Sequence, residues 1–194
     1  MSRYIRPRRP GATVYFTVAL AGRGSDLLVR HVDVLREVAR RTIRDKPFAV
    51  RAWVVLPDHM HCVWTLPEGD ADYSNRMGML KARFSRELRR SGVTPTTGTN
   101  PFGVVAGRVR SLAGAKPHPV EDEVGDSPGI SPDRRDEAPF WQKRFWEHHI
   151  RTDAELQAAV RYCWINPVKH GLVERPGDWP YSSWHRDGGG DLML

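Results

Sequence analysis

The chain has only two cysteines, Cys62 and Cys163, too few for a disulfide framework. Each lies among apolar or aromatic neighbours, which predicts buried thiols in a reducing compartment. No apolar run is long enough to span a bilayer, and no signal-length apolar stretch follows the basic start, Met1 to Pro10. A soluble, cytoplasmic protein without a membrane partner is expected. Repeats are absent too. Acid is scarcer than base, with 23 Asp and Glu against 30 Lys and Arg, and the formal charge is +7. Arginine far outnumbers lysine, and the pI is about 9.8. That balance favours a polyanionic partner, because each neutralised phosphate releases counterions, but on its own it names none.

What is present is a core. At 194 residues, with 40% hydrophobic residues and seven Trp, the chain has the makings of one domain over 1–194. Met1 to Pro10 form a basic arm with two prolines. Its Arg3, Arg6, Arg8 and Arg9 beside Tyr4 suit a phosphate backbone and a base, or equally a solvated terminus. Thr13 to Leu20 is β-branched and aromatic and predicts a strand ending at Gly22 and Gly24. Ser25 or Asp26 then caps a helix to about Arg44, with apolar positions at helical spacing. Phe48 to Leu56 and His59 to Leu66 read as two strands joined by a Pro57-Asp58 turn. A helix over Tyr73 to Arg90 turns Met77, Leu80, Phe84 and Leu88 to one side and carries Lys81, Arg83 and Arg86 elsewhere. Such a basic helix suits a phosphate backbone; a plain solvated face is the simpler alternative.

From 91 to 139 periodicity disappears into Pro, Gly, Ser, Thr and clustered acid, which reads as a long insertion or disordered loop. Order resumes at Phe140 to Ile150, where Trp141, Phe145 and Trp146 interleave with Lys143 and Arg144. That pattern suits a strand edge that meets nucleic acid. Thr152 to Glu155 is a helix start with acidic first-turn residues, and Asn166-Pro167 is read as that helix's end. The order strand, helix, strand, strand, helix, insertion, strand, helix predicts an α+β fold: an antiparallel sheet of about four strands with helices packed on it, close to the ferredoxin-like plan.

Chemistry gathers at His59-Met60-His61. Side chains alternate along a strand, so both imidazoles share one face and could chelate a metal. Tyr162 and Asn166 stand one helical turn apart and share a helix face. If that face meets the histidines, Asn166 supplies an amide oxygen and Tyr162 holds its phenol over the metal. An N, N, O set with open positions suits Mg²⁺ or Mn²⁺ held jointly with a phosphate. Each feature also has a plain structural reading: packed histidines, a packed tyrosine, and an Asn that stops a helix before Pro. Lys169 and His170 lie close to Tyr162 in sequence, and either could assist it.

Several blocks together, Trp53 to His61, Trp64 to Asp70, Phe145 to His148 and Tyr162 to Gly171, resemble the REP-associated tyrosine transposases. These are domesticated bacterial relatives of the single-tyrosine HUH transposases. The resemblance runs from about Tyr4 to Arg186, interrupted by 91–139, where the insertion is longer than the compact connection the family implies. It implies an HUH endonuclease plan, with His59 and His61 as metal ligands, Asn166 as the third ligand and Tyr162 as nucleophile. It further implies Mg²⁺ or Mn²⁺ as cofactor and, as partner, single-stranded DNA carrying REP hairpins, which are repeated extragenic palindromes. A monomer is implied, since the parent transposases share sites across a dimer and the domesticated branch does not. When bound to DNA the protein would be nucleoid-associated.

The expected reaction is cleavage and rejoining through a 5′-phosphotyrosine. A phenol with its ordinary pKa near 10 is ionised only about once in a thousand at neutral pH, so Tyr162 needs activation. DNA contacts are expected from the arm and the second helix to phosphates, and from Trp141, Trp146 or Tyr4 to bases, with Lys143, Arg144 and Lys169 beside them. Two alternatives stay open: a nuclease in which water attacks, and a hairpin-binding module without catalysis. A zinc site using Cys62 fits poorly, since Cys62 follows His61 and should face away from it.

Overall fold

The computed structural model describes residues 8–22, 24–95 and 139–187. The strands are β1 (Thr13–Ala19), β2 (Ala49–Val55), β3 (His59–Thr65) and β4 (Trp146–Ile150). They form one sheet in the order β2-β3-β1-β4, with every neighbouring pair antiparallel. β1 and β2 therefore run the same way with β3 between them, which is the split arrangement of the ferredoxin-like plan. β4 returns to β1, so the chain after the long insertion completes the sheet begun before it. Most of that insertion, 96–138, lies outside the described residues, as do Arg3, Tyr4 and Arg6 of the arm.

Strand alternation sorts the core into two faces. Val14, Phe16 and Val18 of β1 and Met60, Cys62 and Trp64 of β3 pack on one face against α2 (Val32–Asp45) and α3 (Tyr73–Arg90). Tyr15, Val63, Ala52 and Val54 face the other way, against Ala159 and Cys163 of α4 (Asp153–Lys169). The apolar stripe of α3 is Met77, Leu80, Phe84 and Leu88, and its start is capped by Asp72, whose side chain accepts from Asn75 N.

The strands are trimmed relative to the sequence expectation, β4 most of all since it begins only at Trp146, and two helices differ from it. The first helix is kinked at His31, which separates α1 (Leu27–Arg30) from α2. Hydrogen bonds from His31 N to Leu27 O and from Leu35 N to His31 O carry across the kink. α1 is also tied to the β2–β3 turn through Leu28 N and Pro57 O, 3.1 Å apart. The second difference matters more. α4 does not stop at Asn166-Pro167 but runs on to Lys169 with Pro167 inside it. Proline here costs only a last-turn bond, and the helix closes instead at Gly171, whose φ of 65° only glycine takes readily. Leu172 N bonds Pro167 O and Gly171 N bonds Val168 O, the paired bonds of a Schellman ending. Asn166 therefore projects from a formed helical turn.

The two sheet edges are treated differently. Residues Tyr181 to Ser183 line the outer side of β2 through Val55 N to Tyr181 O and Ser183 N to Trp53 O. Among the described residues β4 has a strand partner on one side only, β1.

Candidate active site

Register decides which side chains meet. His61 stands opposite Thr17 on β1 and Val54 on β2, so it lies on the α4 face, and His59 shares that face two residues earlier. The rings of His59 and His61 are 5.0 Å apart, edge to face. Tyr162 comes down from α4 with its ring 5.5 Å from that of His61, and Asn166 follows one turn later, buried. The helical pair and the strand pair thus converge, as the spacing predicts.

The histidines are held from behind. His59 Nδ1 lies 2.7 Å from Asp58 Oδ1, and Asp58 Oδ2 accepts from Gly24 N at 3.1 Å. Burial alone would raise the Asp58 pKa, but the hydrogen bond and charge of His59 and the Gly24 amide outweigh it and bring it below the usual carboxylate value. His61 Nδ1 lies 2.7 Å from Tyr15 Oη and 3.0 Å from Thr17 Oγ1. A proton on Nδ1 of either ring satisfies these oxygens and leaves Nε2 as a free lone pair. Tyr15, Thr17 and Asp58 are the members of this cluster that sequence reasoning missed. For Tyr15 and Thr17 the signal was available in principle: they alternate onto one face of β1.

Two buried atoms in this cluster have no hydrogen-bond partner, His59 Nε2 and Asn166 Oδ1. Asn166 uses its Nδ2 on Tyr162 O, 3.4 Å away. A buried polar atom left unpaired costs about 1–3 kcal/mol, a cost that a cation bound between these two would offset. Two imidazole nitrogens and an amide oxygen are a donor set that a divalent cation accepts. Each imidazole is oriented through its second nitrogen, as metal-binding histidines are. Among the described residues no three His, Cys, Asp or Glu side chains gather at metal-binding spacing, so a three-donor set at this place would need Asn166.

The electrostatics run the same way. Burial, then the charges of His59 and His170, push the His61 pKa well below its ordinary value, which keeps a lone pair available. His170, at the end of α4, sets its ring 5.0 Å from His59, and burial lowers its pKa as well. Burial raises the Tyr162 pKa while the Asn166 side chain opposes the rise, so the phenolate needs a nearby positive charge to form. Lys169 places its Nζ 4.5 Å from the centre of the Tyr162 ring.

The expected DNA contacts are scattered. Trp141 requires correction: it is 5% exposed, packed in the core against Phe84 with ring centres 5.5 Å apart, and has no face to offer a base. Lys81, Arg83 and Arg86 belong to α3, across the sheet from Tyr162. There Lys81 Nζ donates to Gln142 O at 2.7 Å, and Arg83 pairs with Asp45 at 2.5 Å and reaches Thr42. Arg8, Arg9, Arg86, Lys143 and Arg144 are exposed. Trp146 is 42% exposed and sits on the α4 face, opposite Thr17.

The chain has relatives among known proteins. It is 36% identical to a REP-associated tyrosine transposase of Escherichia coli (strain K12) over 96% of this chain and 85% of that protein. The chain belongs to the REP-associated tyrosine transposases. A second relative, from Haemophilus influenzae and described as a REP-associated tyrosine transposase by inference, is 34% identical over 96% of this chain and 88% of its own length. No family model matches. A solved REP-associated tyrosine transposase, bound in that structure to a REP hairpin, aligns with all of this chain and 89% of its own at TM-score 0.70 and 36% identity. The fold is therefore the HUH-type fold of this transposase family, and the protein is a tyrosine transposase. No helix among the described residues is long and apolar enough to cross a membrane.

Proposed function

We propose that this transposase cleaves and rejoins single-stranded DNA at REP-type hairpins by transesterification on Tyr162. One observation carries the reading: His59 Nε2 and Asn166 Oδ1 are buried without partners beside His61 and Tyr162. The relative captured on a REP hairpin supports the choice of DNA. His59, His61 and Asn166 would hold Mg²⁺ or Mn²⁺, which supplies charge neutralisation at a phosphate oxygen.

The chain's own residues do the rest. Tyr15 and Thr17 fix the His61 ring, and Asp58 fixes that of His59, so neither ligand has to be ordered when substrate arrives. The Lys169 ammonium over the Tyr162 ring favours the phenolate. Tyr162 Oη attacks the scissile phosphorus; its O–P bond forms as the bond to the 3′-oxygen breaks. The phenol gives up its proton and the departing oxygen gains one. The resulting 5′-phosphotyrosine keeps the ester's energy, so a second 3′-hydroxyl reverses the step without ATP. His59, His61, Tyr162 and Asn166 come from one chain, which supports a monomer as the working unit.

The test uses a labelled single-stranded hairpin oligonucleotide with Mn²⁺ on a denaturing gel. A covalent protein–DNA adduct is expected, absent in Tyr162→Phe. Undiminished cleavage by that variant with the same product ends would replace the tyrosine by water. Tight hairpin binding with no cleavage under any metal would leave a binding module.

A further inference from the structure

Beside the proposed site lies a surface that the reaction on Tyr162 does not use. Trp146 and His148 are alternate residues of β4, and they stand opposite Thr17 and Tyr15. Both therefore project onto the α4 face. Their rings are nearly parallel, 8° apart, with centres 6.0 Å from one another. Trp146 is a large apolar side chain left 42% exposed in a molecule whose other large apolar rings are buried or half-buried among the described residues. It is not stranded at random. Its ring meets that of Tyr15 edge-on at 5.6 Å, and Tyr15 meets that of Tyr162 edge-on at 6.1 Å. Only one ring separates it from the nucleophile.

The second ring has a carboxylate beside it. His148 Nε2 lies 3.7 Å from Glu155 Oε2 in the first turn of α4, an oxygen that accepts from Arg151 N at 2.8 Å. Trp146 is in turn backed by Tyr15, which is bonded to His61. Two flat, pre-oriented, solvent-facing rings suit a flat, weakly polar partner: every base has a π-face, and a base stacks on aromatic side chains whatever its identity. The charges agree. Lys143 and Arg144 are exposed immediately before the strand, placed to take the phosphates of a chain whose bases lie on the rings.

We propose that Trp146, flanked by His148, is the seat of one unpaired base lying within two nucleotides of the phosphate that Tyr162 attacks. The inference rests on the reading above that Tyr162 acts on single-stranded DNA, and it adds a residue that places the strand. Trp146 is a positioning residue here, and it touches no reacting atom.

The experiment combines protein and DNA changes in the full chain. Wild type, Trp146→Ala and Trp146→Phe are titrated with a single-stranded hairpin oligonucleotide, intact or with one abasic nucleotide at each of the two positions on either side of the cleavage point. Trp146→Ala should weaken binding to intact DNA about 5- to 100-fold. At one abasic position the alanine and wild-type proteins should bind alike, because the partner of the missing ring is already gone. Trp146→Phe should recover most of the loss. Mn²⁺ affinity should be the same in all three proteins, which separates a base seat from a mere prop for Tyr15 and His61. The proposal falls if Trp146→Ala binds like wild type, if its loss is equal at every abasic position, or if Mn²⁺ affinity falls in step with DNA affinity. Wild type that binds and cleaves while the variants behave in those ways leaves the reaction on Tyr162 standing. Wild type that does not bind single-stranded DNA overturns both.

Discussion

The two faces of the sheet differ in kind. Toward α2 and α3, β1 and β3 present Val14, Phe16, Val18, Met60, Cys62 and Trp64, and the helices answer with Leu35, Val38, Leu80 and Phe84. Toward α4 the same strands present Tyr15, Thr17, His59 and His61, and the helix answers with Tyr162 and Asn166. One face is closed mainly with apolar contact. The other gathers two imidazoles, a phenol and an amide, with His59 Nε2 and Asn166 Oδ1 buried and unpaired. Because successive residues of a strand serve opposite faces, one stretch of sequence carries both tasks without either compromising the other. Stability and chemistry should therefore separate by residue parity.

The strongest break of that comparison is on the α4 face. Tyr162→Phe should lower DNA strand cleavage at least about a thousandfold, while hairpin affinity and the thermal midpoint stay near wild type. A parallel loss of stability would mean the two faces are not separable. On the opposite face, Leu80→Ala removes a fully buried side chain of α3 and should cost about 2–5 kcal/mol in urea unfolding. If cleavage per folded molecule falls as well, the helical layer contributes to the chemistry.

Smaller changes sharpen the boundary between the proposed metal ligands and the residues that orient them. Tyr15→Phe removes the hydroxyl 2.7 Å from His61 Nδ1 and should weaken Mn²⁺ binding about 10- to 100-fold by titration calorimetry. Unchanged affinity would reduce Tyr15 to packing. Asn166→Ala makes the reverse case: it deletes an unpaired buried oxygen, so metal affinity should drop while metal-free stability holds or rises, read by the same titration and by urea unfolding.

The smallest effect tests the structural side electrostatically. Arg76, 2% exposed, donates to Lys46 O, Pro47 O, Asp72 O and Asp70 Oδ2, and so ties α3 to the loops at both its neighbours. Its hydrogen bond, followed by the Asp72 amide, holds the Asp70 carboxyl down at about 2 from 3.8. The folded value lies below the unfolded one, so this contribution is complete above pH 4 and fades as the pH falls toward 2. The carboxylate is 35% exposed, so solvent screening leaves only about 1 kcal/mol. Asp70→Asn should be less stable than wild type at pH 6 and nearly equal to it at pH 2.5 in urea unfolding. An equal gap at both pH values would remove the assignment.

Much of this was legible in the chain because it depends on local rules. The pairing of His59 with His61 on one face and the turning away of Cys62 follow from alternation alone. The span of α3 follows from its apolar spacing. Where local rules misled, a longer-range contact had intervened. Asn166-Pro167 reads as a stop, yet α4 continues because the Schellman ending at Gly171 supplies the closing bonds one turn later. Trp141 and Trp146 look alike in sequence, five residues apart with Lys143 and Arg144 between them, but the first bridges to Leu20 and packs on Phe84 while the second follows the register of β4 outward. The basic side chains of α3 look suited to phosphate, but that helix packs on the face away from Tyr162 and two of them are engaged by Gln142 and Asp45.

The sequence by itself determined the elements, the parity of the histidines, and the one-turn spacing of Tyr162 and Asn166, because strand and helix periods are properties of the backbone. Only the tertiary structure decided that these two pairs meet, that Tyr15, Thr17 and Asp58 hold them, and which tryptophan stays in solvent. Those outcomes depend on strand order and register, which place side chains from distant parts of the chain within a few ångströms, and no local period encodes that distance.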